Sequence, residues 1–183
     1  MIEIKNLSLS FGKKPIFRDF SAELPDEGLV LLSGESGIGK TTLLRILCGL
    51  QKPDRGTVCG LESRKISVVF QEPRLLEHMT ALENVSIVSD AETAERLLRE
   101  LNMTGERSQK AGALSGGQKQ RVSLARAFAF SNDVVLLDEP FTGLDEQNKL
   151  RAADLIRTAR LAVVVTHDAD DAALLHADRN IQL

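Results

Sequence analysis

The chain has 183 residues, 43% apolar and 27% charged. That is ordinary globular composition for a length that buries most of its unfolded surface, and it excludes disorder. With 23 basic and 26 acidic residues and a net charge of -3, nothing asks for nucleic acid as the main partner. Aromatic residues are 4% of the chain and all are Phe, which argues against a base-stacking platform. Cys48 and Cys59 are too few for a disulfide scaffold and fit a reducing compartment. The start, Met1-Ile2-Glu3-Ile4-Lys5, has no apolar leader, and no apolar run approaches the length of a membrane span. A soluble intracellular chain is expected, reaching any membrane through a partner.

Ile2, Ile4, Leu7, Leu9 and Phe11 alternate with a phase break at Asn6, which predicts one or two strands. Gly12–Pro15 reads as a turn and Ile16–Leu24 as the returning strand of a hairpin. Leu29–Leu32 is an unbroken apolar run, the mark of a strand covered on both faces. A helix over about Lys40–Cys48 follows, then a turn at Pro53–Gly56 and a strand at Ile66–Phe70. Ala91–Leu101 is amphipathic, with Ala94, Leu97, Leu98 and Leu101 on one face and a Glu95–Arg99 pair on the wet side. Helices are expected at Gly117–Ala129 and Glu146–Ala159, buried strands at Val134–Leu137 and Leu161–Val165, and a short last strand at Ile181–Leu183. Apolar strands alternating with helices give an α/β sheet, parallel at its centre, beside an antiparallel start. Pro73–Ala113 holds no buried strand and reads as an inserted helical lobe, with 1–72 and 114–183 forming the core. The chain ends directly after that core, so no appended regulatory domain is expected.

Three stretches carry chemistry. Gly34-Glu35-Ser36-Gly37-Ile38-Gly39-Lys40-Thr41 fits G-x-x-x-x-G-K-[ST] between a strand and a helix. Its glycines let backbone N–H groups turn around phosphate oxygens, and the helix dipole adds to them. Lys40 supplies the charge for the β- and γ-phosphates and the Thr41 hydroxyl a ligand for Mg²⁺. The strand Val134–Leu137 runs into Asp138-Glu139, carboxylates at the end of a strand where α/β sheets gather their ligands. Asp138 suits Mg²⁺, and Glu139 suits a proton acceptor for an attacking water. Leu114-Ser115-Gly116-Gly117-Gln118 opens a helix on a Ser cap. Alone it reads equally as a second phosphate-binding edge or as a capped helix with a flexible entry.

Together these residues resemble the nucleotide-binding domain of ATP-binding cassette transporters. Leu114–Gln118 matches the family signature, continued by Lys119-Gln120-Arg121. The resemblance implies that Gln71 is the Q-loop glutamine and a further Mg²⁺ ligand, Asp145 the D-loop aspartate and His167 the switch histidine. It places Phe11 against adenine and Thr42 with the phosphate loop, and gives Ser115, Gly116, Gly117 and Gln118 to the nucleotide. Glu139, His167, Gln71 and Asp145 are then the catalytic set. The implied fold is a P-loop core with a small antiparallel β lobe and an inserted helical lobe. The implied activity is ATP hydrolysis, by a homodimer closed over two ATP molecules. Implied partners are integral-membrane permease subunits and a solute-binding protein, with the ATPase peripheral on the cytoplasmic face of the membrane. Phe70-Gln71-Glu72-Pro73-Arg74-Leu75-Leu76 is most similar to importers of nitrate, sulfonates, taurine and thiamine precursors. Two alternatives are a cassette ATPase acting on ribosomes or DNA, disfavoured by the single cassette, and a P-loop metabolite kinase, in which the signature has no role. Thr57–Phe70 leaves little room for the family's antiparallel lobe, and the short Gln71–Leu114 span predicts a trimmed helical lobe.

Overall fold

The computed structural model describes residues 1–183. Its first strands, β1 (Ile2–Phe11) and β2 (Lys14–Leu24), pair antiparallel. Asn6 takes φ 49° and the register shifts between Ile4 and Leu7, so the phase break in the sequence is a bulge. The bulge returns Leu7 and Leu9 to the face already occupied by Ile2 and Ile4, and all four are buried. Pro15 lies on β2, at the edge of this sheet, where a missing N–H is tolerated.

The third strand of the lobe is β4 (Arg55–Cys59), antiparallel to β1. The turn expected at Pro53–Gly56 therefore ends sooner, and Arg55 already pairs with Ser8. Five residues suffice for this strand, so the lobe is built despite the short span before Phe70.

The main sheet has the order β5-β6-β7-β3-β8. Its strands are β3 (Gly28–Ser33), β5 (Ile66–Val69), β6 (Val134–Asp138), β7 (Leu161–Val165) and β8 (Arg179–Gln182). Every pairing in it is parallel. Alternate residues feed two cores. Leu29, Val135, Leu137, Ala162 and Val164 face the helices, while Val30, Leu32, Val134, Leu136 and Val163 face the β lobe. Burial on both faces is why these strands read as unbroken apolar runs.

On the β-lobe side lies α1 (Lys40–Leu47), which buries Leu43, Leu44, Ile46 and Leu47. On the other side lie α2 (Ala81–Ser86), α3 (Ala91–Glu100), α4 (Gly116–Phe130), α5 (Glu146–Ile156) and α6 (Ala169–Leu175). The segment after Pro73 is helix and loop, and Val85, Leu97, Leu98, Leu101 and Met103 share one core with Val122 and Leu124 of α4. Asp90 caps α3, accepting from Thr93 N at 2.7 Å. The wet-face ion pair of α3 is Arg96–Glu100 at 2.7 Å, and not Glu95–Arg99. α5 stops at Ile156, three residues before the periodic pattern does, and the last strand is centred on Arg179–Gln182, earlier than expected. α2 and α6 are absent from the sequence reading.

Candidate nucleotide site

The loop 34–39 leaves β3 and feeds directly into α1. Gly39 is the N-cap of α1 with φ 122°, and a Cβ there would lie 2.7 Å from Ile16 and 2.9 Å from Phe17. Only glycine fits that turn against the β lobe. With no side chain at the cap and no acidic residue in the first turn, the helix itself supplies no anion to its leading N–H groups. Lys40 is buried, and its Nζ donates to the carbonyls of Gly34 at 2.7 Å and Glu35 at 3.0 Å. The ammonium thus spans the entrance of the loop.

A cavity of about 380 Å³ opens there. Ser36, Lys40, Thr41 and Thr42 line it from the loop and α1, Asp138 and Glu139 from the end of β6, and His167 from beyond β7. Gln71, just after β5, completes it. Four parallel strands deliver these groups to one rim, as the carboxyl ends of such a sheet should.

Asp138 is buried, and burial pushes its carboxyl pKa up, opposed by the neighbouring Thr41 hydroxyl. Thr41, Asp138 and Gln71 together offer oxygen donors of the kind Mg²⁺ prefers, and a cation there would relieve the buried carboxylate. Glu139 adopts φ 50°, and its N–H donates to Val165 O at 2.9 Å, so its side chain leaves the strand direction. His167 Nδ1 donates to Glu139 Oε1 at 2.7 Å. That hydrogen bond and the carboxylate charge hold the imidazole pKa above its ordinary value. The rim therefore joins a cation for phosphate, an oxygen set for a metal, and a carboxylate–imidazole pair able to hold and accept the proton of a water.

Other expected residues lie elsewhere. Phe11 is 50% exposed at the end of β1 and lines none of this cavity. The signature residues Leu114–Gln118 are also outside it. Ser115 caps α4 in a reciprocal box with Gln118, and Gln118 Nε2 donates to Glu106 at 3.2 Å. Asp145 is the exposed N-cap of α5, accepting from Asn148 N and Nδ2 at 2.9 Å. The Asn148 N–H holds its carboxyl pKa down. Gly117 packs its Cα side against the Gly143 carbonyl, where a Cβ would lie at 2.2 Å, so the signature turn and the turn before Asp145 are in contact.

The fold and the cavity define a P-loop nucleotide-binding cassette. A family model described as ABC transporter matches residues 17–142. The aliphatic sulfonates import ATP-binding protein SsuB 3 of Rhodococcus jostii (strain RHA1) is 40% identical, over 97% of this chain and 69% of that protein. The aliphatic sulfonates import ATP-binding protein SsuB 1 of Paracoccus denitrificans (strain Pd 1222) is 38% identical over 100% of this chain and 78% of its own length. Among solved structures, the ATP-binding cassette MJ0796, a dimer in a post-hydrolysis state bound to ADP and Pi, superposes with a TM-score of 0.86. It is 28% identical and the match covers 100% of this chain and 94% of that one. This chain belongs to the ABC transporter family.

Proposed function

We propose that this chain is the ATP-hydrolysing subunit of a membrane importer for a small solute, with organic sulfonates the class named by its relatives. The observation that carries this reading is the split between two edges. The loop, Asp138, Glu139 and His167 share one cavity, while Ser115–Gln118 lies outside it. A signature so placed serves the ATP of a second copy, which gives a two-fold dimer with reciprocal sites. The dimeric MJ0796 cassette supports that arrangement.

In this mechanism the loop N–H groups and Lys40 take the β- and γ-phosphates, with Thr42 beside them. Thr41, Asp138 and Gln71 would hold Mg²⁺, which would supply positive charge beside the phosphates. Glu139 accepts the proton of the attacking water, and His167 fixes the Glu139 carboxylate and reaches the γ-phosphate. Phe11 stacks on adenine, and Asp145 acts at the seam between protomers. Residues 73–113 form the lobe that meets permease subunits fed by a solute-binding protein. No helix is long and apolar enough to cross a membrane. The ATPase works from the cytoplasmic side, as a peripheral subunit.

Glu139→Gln keeps the side chain's shape and removes the base, which lowers turnover by about 10²–10⁴-fold. This variant is expected to be monomeric without nucleotide, dimeric with ATP and monomeric with ADP, by light scattering. Adding Ser115→Arg should return it to monomer, because the guanidinium occupies the γ-phosphate's seat. A Glu139→Gln protein that stays monomeric at high concentration in saturating ATP refutes the shared-site reading.

A further inference from the structure

The peptide unit after Asp138 is unusual. β6 ends at Asp138, and Glu139 follows in a left-handed conformation with φ 50° before Pro140. No sheet ladder serves the carbonyls of 139 and 140, and buried carbonyls of this kind need donors. Thr142 N reaches Glu139 O at 3.3 Å. The other donor comes from a different element altogether. Gln120 on α4 is 1% exposed, and its Nε2 donates to Glu139 O at 3.3 Å and to Pro140 O at 3.2 Å. One amide nitrogen thus serves both carbonyls of the turn that carries the Glu139 side chain. On the opposite side of the same residue, the Glu139 N–H is tied to Val165 O.

Gln120 is also close in the chain to the signature. Its helix begins at the Ser115 cap, and Gln120 lies in its second turn. A rigid helical segment therefore joins the edge Ser115–Gln118 to the turn bearing Glu139 within one protomer.

We propose that Gln120 is a positioning residue for hydrolysis. It holds the left-handed Glu139–Pro140 turn so that the carboxylate meets His167, and it makes the orientation of Glu139 depend on the seating of the signature helix. The inference rests on the reading of Glu139 as the proton acceptor.

The test uses Gln120→Met, which keeps length and volume but has no N–H to donate. Displacement of a reacting group by about 1 Å costs up to about 100-fold in rate, so kcat should fall by up to that factor. KM for ATP should stay within about twofold, because no phosphate contact is lost. A second readout does not depend on activity. The His167 imidazole, followed by NMR, should titrate closer to the ordinary value of about 6.5 in Gln120→Met than in the wild type, because its carboxylate partner has moved. The decisive comparison is the double variant. In a Glu139→Gln background Gln120→Met should cause no further loss, since the carboxylate it aims is gone. Equal losses in the two backgrounds, or a wild-type kcat and His167 titration in folded Gln120→Met, overturn the proposal. Wild-type turnover in Glu139→Gln alone would instead remove the base assignment itself. If Gln120→Met does not fold, Gln120→Glu, matched in shape, takes its place. If neither folds, Gln120 serves core stability, and the proposal fails.

Discussion

Alanine at Gly117 pits helix propensity against a backbone clash, and the geometry decides between them. In a helix, alanine is favoured over glycine by about 0.5–1 kcal/mol. A Cβ at Gly117, however, would lie 2.2 Å from Gly143 O and 3.1 Å from Gly143 C, where ordinary contact begins at 3.4 Å. Both atoms are main chain, so the turn before Asp145 or the start of α4 must shift by about 1 Å, a strain of about 1–3 kcal/mol. Gly116 is the control. It opens the same helix, and a Cβ there meets nothing within 4 Å. Gly116→Ala should be stabilised by the helical gain, and Gly117→Ala should be destabilised by the clash less that gain. The difference between the two is the clash alone. At 2–4 °C per kcal/mol for a domain of this size, their melting temperatures should differ by about 2–12 °C. Thermal unfolding of the nucleotide-free proteins, followed by circular dichroism, measures it. Gly117→Ala melting at or above Gly116→Ala would refute the argued contact between the signature and the Gly143 turn.

Lys40→Ala should abolish hydrolysis and greatly weaken ATP binding by isothermal titration, because the loop holds no other Lys or Arg. Phe11→Ala should weaken ATP binding roughly 5- to 150-fold, from about 1–3 kcal/mol of base stacking; unchanged affinity places adenine elsewhere. His167→Ala should retain ATP binding and lose most turnover. In the wild type, NMR should show His167 titrating above about 6.5, and Glu139→Gln should bring it back down. The stability from this contact is thus complete below about pH 6.5 and is lost as pH rises through the raised pKa.

The parallel strands were legible because burial on both faces leaves an unbroken apolar signal, and α3 because its stripe repeats at the helical period. β4 escaped notice since Val58 alone among its residues is even half-buried; it forms by pairing with β1, which no local pattern records. α2 has a local sign in the sequence, at its N-terminus. Thr80 and Glu83 make a capping box, and T-x-x-E stands in the sequence. α6 had its sign too, in Asp168, which accepts from Asp170 N and Asp171 N at the helix start. The cavity groups Lys40, Thr41, Asp138, Glu139, Gln71 and His167 were legible as motifs, and the fold brings them to one rim. Gln120 was not. A buried glutamine announces nothing until the helix above it is docked on the turn it serves.

The place of β3 in the sheet has a consequence for how the protein is made. β3 precedes the glycine-rich loop 34–39 and comes before β4, β5 and β6 in chain order, yet its two neighbours are β7 and β8. Its hydrogen-bond partners, Leu161–Val165 on one side and Arg179–Gln182 on the other, are synthesised later than β4, β5 and β6. Until β7 and β8 have been synthesised, the loop 34–39 therefore has no sheet to stand on. A ligand seated on that loop would stabilise the domain only once β7 and β8 have closed around β3.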